Sequence, residues 1–143
     1  MSHTGYAAFD TTIEKTNQVL KSIEEAYGWP STRRQQSYDA LRAVLHALRD
    51  RLPVQEAADL AAQLPMLIRG LYYEGWVPAR VPVKMHRDEF LDRVRRDLPF
   101  DAEGGTELVV KRVLGALQRY VTPGEWHDIE STLPKDLVAV LSP

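Results

Sequence analysis

A stretch of 32 residues occurs twice in this chain, 69 positions apart, and this constrains the fold more than any other feature. Shifted by 69, Leu41 to Tyr72 lies over Val110 to Leu141 without a gap. Eight pairs are identical: Val44/Val113, Leu45/Leu114, Ala47/Ala116, Leu48/Leu117, Glu56/Glu125, Asp59/Asp128, Leu64/Leu133 and Pro65/Pro134. Ordinary composition gives about two by chance. Further pairs are conservative, among them Leu60/Ile129 and Ile68/Leu137. Two units of roughly 70 residues in a 143-residue chain fit one domain sharing one core better than two separate beads. The expected organisation is a single domain over residues 1–143, with halves at about 5–76 and 84–143. A linker, Gly75 to Met85, holds Pro78 and Pro82 and joins them.

Apolar spacing and proline–glycine punctuation predict helices throughout. Phe9, Ile13, Leu20, Ile23 and Tyr27 keep helical spacing over Phe9 to Tyr27, and Gly28-Trp29-Pro30 stops the helix. Ser31 or Thr32 can cap a second helix, striped by Tyr38, Leu41, Leu45, Leu48 and Leu52. Pro53 opens a third, Val54 to Gln63, and Pro65 a fourth, Met66 to Glu74, with Gly75 as its C-cap. A fifth follows over His86 to Leu98 with Phe90, Leu91 and Val94 inward. The sixth, Thr106 to Val121, repeats the second. Thr122-Pro123-Gly124-Glu125 reads as a start signal, with threonine at the N-cap and glutamate at N3, for a seventh helix ending near Thr132. Pro134 opens the eighth. No strand alternation appears, so the expected class is an all-α compact helical bundle of about eight helices built from two pseudo-symmetric repeats. Leu45, Leu48, Leu64 and Ile68 should be buried, as should Leu114, Leu117, Leu133 and Leu137.

The net charge of −2 argues against nucleic acid as a partner, because such binders concentrate basic charge on one surface. Arg33-Arg34 and Arg93, Arg95 and Arg96 are matched by Glu24-Glu25, Asp88, Glu89, Asp92 and Asp97, as on solvated helix faces. The absence of cysteine removes disulfides, thiolate nucleophiles and cysteine-ligated metals together. Met1 to Tyr6 has no basic region followed by an apolar stretch, so no secretory signal is expected. No apolar run approaches the roughly 20 residues that span a bilayer. The expectation is a cytoplasmic protein without a membrane partner.

The string Leu52-Pro-Val-Gln-Glu-Ala-Ala-Asp-Leu-Ala-Ala-Gln-Leu-Pro-Met-Leu-Ile-Arg-Gly-Leu-Tyr-Tyr-Glu-Gly-Trp76 resembles the bacterial family called domain of unknown function 2267. The resemblance runs from about Phe9 to Leu141 and includes the weaker copy ending Ser131-Thr-Leu-Pro-Lys-Asp-Leu. Gly124-Glu125-Trp126-His127 departs from it, standing where the first copy has Gln55-Glu56-Ala57-Ala58. The resemblance implies a compact helical fold and a cytoplasmic bacterial protein; it carries over no catalytic residues.

Glu56/Asp59 and Glu125/Asp128 are the acidic pairs present in both copies, each pair on one helix face. Four carboxylates could converge on a metal between the halves. Carboxylate bundles that bind two irons add Glu-x-x-His ligands, however, and neither copy has them. The reading preferred on sequence is a first-turn glutamate favoured by the helix dipole, with each aspartate paired to an arginine or a loop amide. His3, His46, His86 and His127 are not spaced as a shared ligand set. Gly104-Gly105 is an isolated pair and serine nucleophile motifs are absent. The expectation is therefore no metal, no cofactor and no stand-alone enzyme. The small residues Ala57, Ala58, Ala61 and Ala62 on the third helix should accept the protein's own first helix, the functional alternative being a partner subunit.

Function is expected in association. Tyr72, Tyr73 and Trp76 cluster where the second copy has already ended. Tyr73 and Trp76, flanked by Arg69 and Arg80, have the composition of an interface hot spot. The preferred reading of the cluster is a staple tying the linker to the core, with the interface as the functional alternative. The sequence thus points to a non-catalytic helical binding or regulatory module acting on a protein partner or on itself. The alternative is a small-molecule-binding protein with a cleft between the two halves.

Overall fold

The computed structural model describes residues 4–142; Met1 to His3 and Pro143 lie outside the described residues. Eight α-helices and no strands are present among the described residues. They are α1 (Ala7–Tyr27), α2 (Arg34–Arg51), α3 (Val54–Gln63), α4 (Met66–Tyr73), α5 (Arg87–Asp97), α6 (Thr106–Leu117), α7 (Pro123–Ser131) and α8 (Lys135–Leu141). Short 3-10 turns at Ser31–Arg33, Pro78–Arg80 and Gln118–Tyr120 complete the order.

The punctuation acts as the residue chemistry requires. Gly28 ends α1 at φ 71°, a left-handed conformation that costs glycine nothing, and its N–H reaches the Glu24 and Glu25 carbonyls. Prolines precede or open α3, α4, α7 and α8, where a missing N–H has no helical partner to lose. At α4 the glycine does not cap: the helix stops at Tyr73 with Glu74 as its cap, and Gly75 takes φ 81° one residue later. The linker contains a cis Val81–Pro82 bond. It is pinned to the end of α2, because the Val83 N–H donates to the Asp50 carbonyl and the Arg51 side chain to the Met85 carbonyl.

Helix α2 is the spine. It packs against α1, α4, α5 and α6, while α6 in turn touches α1, α5 and α8. Its stripe explains this: Leu41, Val44, Leu45, Leu48 and Leu52 are buried, and Ala40, Ala43 and Ala47 let neighbouring helices approach closely. Across the molecule α3 meets α7. Helix α3 therefore packs on α4 and α7 rather than on α1, burying Ala57 and Ala61 and leaving Ala58 half-buried and Ala62 exposed. Short side chains there suit whichever helix the loops bring near, which spacing alone does not choose.

Leu45, Leu48, Leu64, Ile68, Leu114, Leu117 and Leu137 are buried as expected, while Leu133 is only half-buried. Two stripe residues depart further: Phe9 is 51% exposed and Tyr38 lies at the surface, because both line an open groove that α4 flanks without covering. The basic clusters are also less solvated than expected. Arg34 makes a two-pronged bond to the buried Glu24 carboxylate, and Arg93 bridges Asp50 and Asp97. The bond from Arg34 holds the Glu24 carboxyl below its ordinary range against the opposing effect of burial.

Candidate functional site

Where α2 and α3 face α6 and α7, the leucine stripes leave a cavity of about 290 Å³. Its floor is Leu45, Leu48, Leu60, Leu64, Leu114 and Leu117, all buried, and its mouth is Gln118, Val121, Pro123 and Trp126. Two pairs in the floor, Leu45/Leu114 and Leu48/Leu117, occupy equivalent places in the two copies. The leucine side chains of the two stripes do not fill the space between them, which larger or differently placed residues would close. The volume is about twice that of an engineered apolar cavity that admits benzene.

Beside Pro123 and Trp126, the same α3–α7 contact brings carboxylates together. Oxygen atoms of Glu56, Asp59 and Glu125 lie within 4.8 Å of one another. Glu125 is 7% exposed, and one oxygen each of Glu125 and Glu56 is enclosed with no hydrogen-bond partner. Burial pushes the Glu125 carboxyl up to about 7, helped by the charges of Glu56, Asp59 and Asp128. Burial likewise raises Glu56.

Both glutamates sit in the first turns of their helices as expected, and the structure adds their convergence across the α3–α7 contact. Thr122 does cap α7, accepting from the Glu125 N–H at 3.1 Å. The reciprocal bond of a capping box is absent. The Thr122 N–H instead donates to Gln63 Oε1 from the end of α3, at 2.8 Å. Glu125 is thereby released from the cap and turned inward. Asp59 accepts from Gln55 at 2.9 Å rather than from an arginine. His127 and Asp128 are exposed.

The aromatic segment takes a different form. Tyr72 is buried, and its hydroxyl donates to the Ala57 carbonyl at 2.9 Å. Tyr73 is half-buried between Tyr72 and Trp76, its ring 5.4 Å from the first and 5.2 Å from the second. Trp76 is half-buried against the core with its indole N–H enclosed. Arg69 does not flank this pair as a free cation: it donates to the Ala61, Ala62 and Leu64 carbonyls, closing the end of α3. Arg80 is exposed on the linker turn.

A second apolar feature had no sequence signal. Phe9, Tyr38, Met66 and Leu67, all substantially exposed, line an open groove between α1, α2 and α4. Helical periodicity at these positions reads as core; only the placement of α4 beside the first turns of α1 leaves them uncovered.

Helix content, proline-opened short helices and a single shared core define a compact all-α protein, and no described helix is long and apolar enough to cross a membrane. The chain belongs to the family of uncharacterized conserved proteins DUF2267, whose profile matches residues 16–140. No curated protein matches it.

Proposed function

We propose that this chain is a non-catalytic helical binding protein whose junction cavity takes a small, largely apolar ligand. One observation carries the reading: an apolar cavity of about 290 Å³ between the halves, with polar groups confined to its mouth at Gln118 and Trp126. Ligand sites have this form, an apolar enclosure with a few polar groups that orient the occupant. Native mass spectrometry of protein purified without denaturation tests it. The expected result is a bound small molecule that is lost on unfolding and absent from Leu117→Trp, which fills the cavity. A chain that carries no adduct and takes up no apolar dye that Leu117→Trp excludes would overturn it.

A second reading is protein association, and the exposed groove of Phe9, Tyr38, Met66 and Leu67 favours it. Met66→Lys together with Leu67→Lys should then leave the fold intact and reduce association measured by sedimentation. Tyr73, Trp76 and Arg80 remain partner-binding candidates within this second reading.

We also read the chain as a bacterial cytoplasmic protein; a cysteine-free sequence, which needs no oxidising compartment, supports this. The two copies are proposed to be related by an approximate two-fold axis passing between α2 and α6 and between α3 and α7. Support comes from boundaries: shifted by 69, α2, α3 and α4 fall over α6 with its 3-10 turn, α7 and α8. Superposing the two segments in a crystal structure tests it.

A further inference from the structure

We propose that Glu56, Asp59 and Glu125 form a site for a divalent cation of calcium size that ties α3 to α7 across the two halves. This goes beyond the proposed ligand cavity and does not depend on it.

Three observations carry the inference. The first is reach. Carboxylate oxygens from all three residues lie within 4.8 Å of one another. Three oxygens no more than 4.8 Å apart can share a centre within roughly 2.8 Å of each, which a small side-chain adjustment brings to the calcium–oxygen distance of roughly 2.3–2.6 Å. Magnesium, at about 2.0–2.1 Å and with a stricter octahedral demand, fits such a loose set less well.

The second is an unpartnered group. Glu125 is more than nine-tenths buried, its enclosed oxygen has no hydrogen-bond partner, and it points toward Glu56 and Asp59. A buried carboxylate oxygen left unpaired is costly unless something positive meets it. The bond between Gln63 and the Thr122 N–H removes the obvious alternative, since Glu125 would otherwise close the capping box on its own helix.

The third is charge. The charged groups that perturb Glu125 are Glu56, Asp59 and Asp128, all acidic, and those that perturb Glu56 are Asp59 and Asp128. The helix N-termini of α3 and α7 offset only part of this, about half a charge each. Oxygen-only donors select hard cations and disfavour zinc or copper. Glu56 and Asp59 are half-exposed, which leaves a route for the ion from solvent.

Chelator-treated protein should bind one calcium ion per chain in isothermal titration calorimetry, and manganese with comparable stoichiometry. The dissociation constant should be on the order of 10⁻⁴ M, as for open three-carboxylate sites. Calcium should raise the melting temperature saturably. Glu125→Gln should weaken binding by more than about tenfold, a loss that even outer-shell partners can cause. Without calcium it should melt no lower than wild type, because it removes a buried charge, and this separates lost binding from lost folding. Glu103→Gln, remote from the cluster, should bind as wild type does. No saturable heat from wild type with either metal, or equal binding by Glu125→Gln, would overturn the proposal.

Discussion

The two copies of the repeated segment share a leucine pattern and differ in how they are tied down. In the first, buried polar groups lash α2 to the end of α4. Arg49, 3% exposed, donates to the Tyr72 and Glu74 carbonyls and to the Asp50 carboxylate. The carbonyl of Leu71 accepts from His46 Nε2 at 2.8 Å, and the Tyr72 hydroxyl reaches α3. In the second copy the equivalent positions are Gln118, Gly115 and Leu141, and none makes such a tie. Gln118 instead stands at the cavity mouth. One half is latched by buried groups; in the other the half-buried Lys111 of α6 holds the Ala139 and Ser142 carbonyls at the end of α8, and the cavity and the unpaired Glu125 sit on its side of the junction. Equal hydrophobic pattern therefore does not mean equal rigidity, because orphan carbonyls at the ends of short helices have to be satisfied somewhere.

The strongest way to break this contrast is at its latch. Arg49→Ala should destabilise by about 3–5 kcal/mol, since it leaves two carbonyls at the end of α4 unpaired, at about 1–3 kcal/mol each, and takes from Asp50 one of its two arginines. Gln118→Ala, at the equivalent position, should stay within about 0.5 kcal/mol. Urea denaturation of both variants measures the difference, and similar losses would erase the distinction between the halves.

Next in size are the leucines. Leu48→Ala, fully buried, should cost about 2–5 kcal/mol. Leu133→Ala should cost nearer 1 kcal/mol, because its half-buried side chain surrenders less contact. Its repeat equivalent, Leu64→Ala, should match Leu48→Ala in the same melts.

Smaller again is the aromatic segment. Tyr73 and Trp76 pack against each other with their rings tilted by 35°, and both rest on the core. Replacing both by alanine should remove about 2–3 kcal/mol, somewhat below the fully buried aromatic value. An unchanged melting temperature with reduced self-association would show instead that they act as an interface.

The smallest effect is on pH. Burial holds the His46 imidazole below its ordinary range; the Leu71 carbonyl opposes this, Arg49 and Arg42 add to it, and Asp50 works against it. The unfolded chain therefore binds the proton more readily than the folded one. Stability from this group is present above the unfolded value near 6.5 and is lost as pH falls below it. His46→Gln should flatten the stability curve of wild type between pH 7 and 5, measured by urea denaturation across that range.

Much of the fold was legible without coordinates. Prolines at 53, 65, 123 and 134 placed four helix starts, and the glycine at 28 placed a helix stop, because these residues restrict or release the backbone locally. Tyr72 faced inward by its spacing from Ile68. The candidate site was legible only in part. Both glutamates of the repeated pair could be singled out, but Thr122 and Glu125 spelled a capping box, and the intervention of Gln63 from another helix was invisible. Arg69 read as a free cation because nothing local announces that a side chain will fold back on carbonyls of the preceding helix.

By itself, then, the sequence determined the helical class, the order and approximate ends of the helices, and which leucines, all but the half-buried Leu91 and Leu133, are buried. These follow from backbone chemistry and apolar periodicity, both of which act over a few residues. Only the tertiary structure decided that α3 meets α7, that leucine stripes facing leucine stripes leave a cavity, and that Glu125 turns inward while Phe9 turns out. Each of those depends on which surfaces the loops bring into contact, and contact between residues tens of positions apart is set by the packing of the whole core.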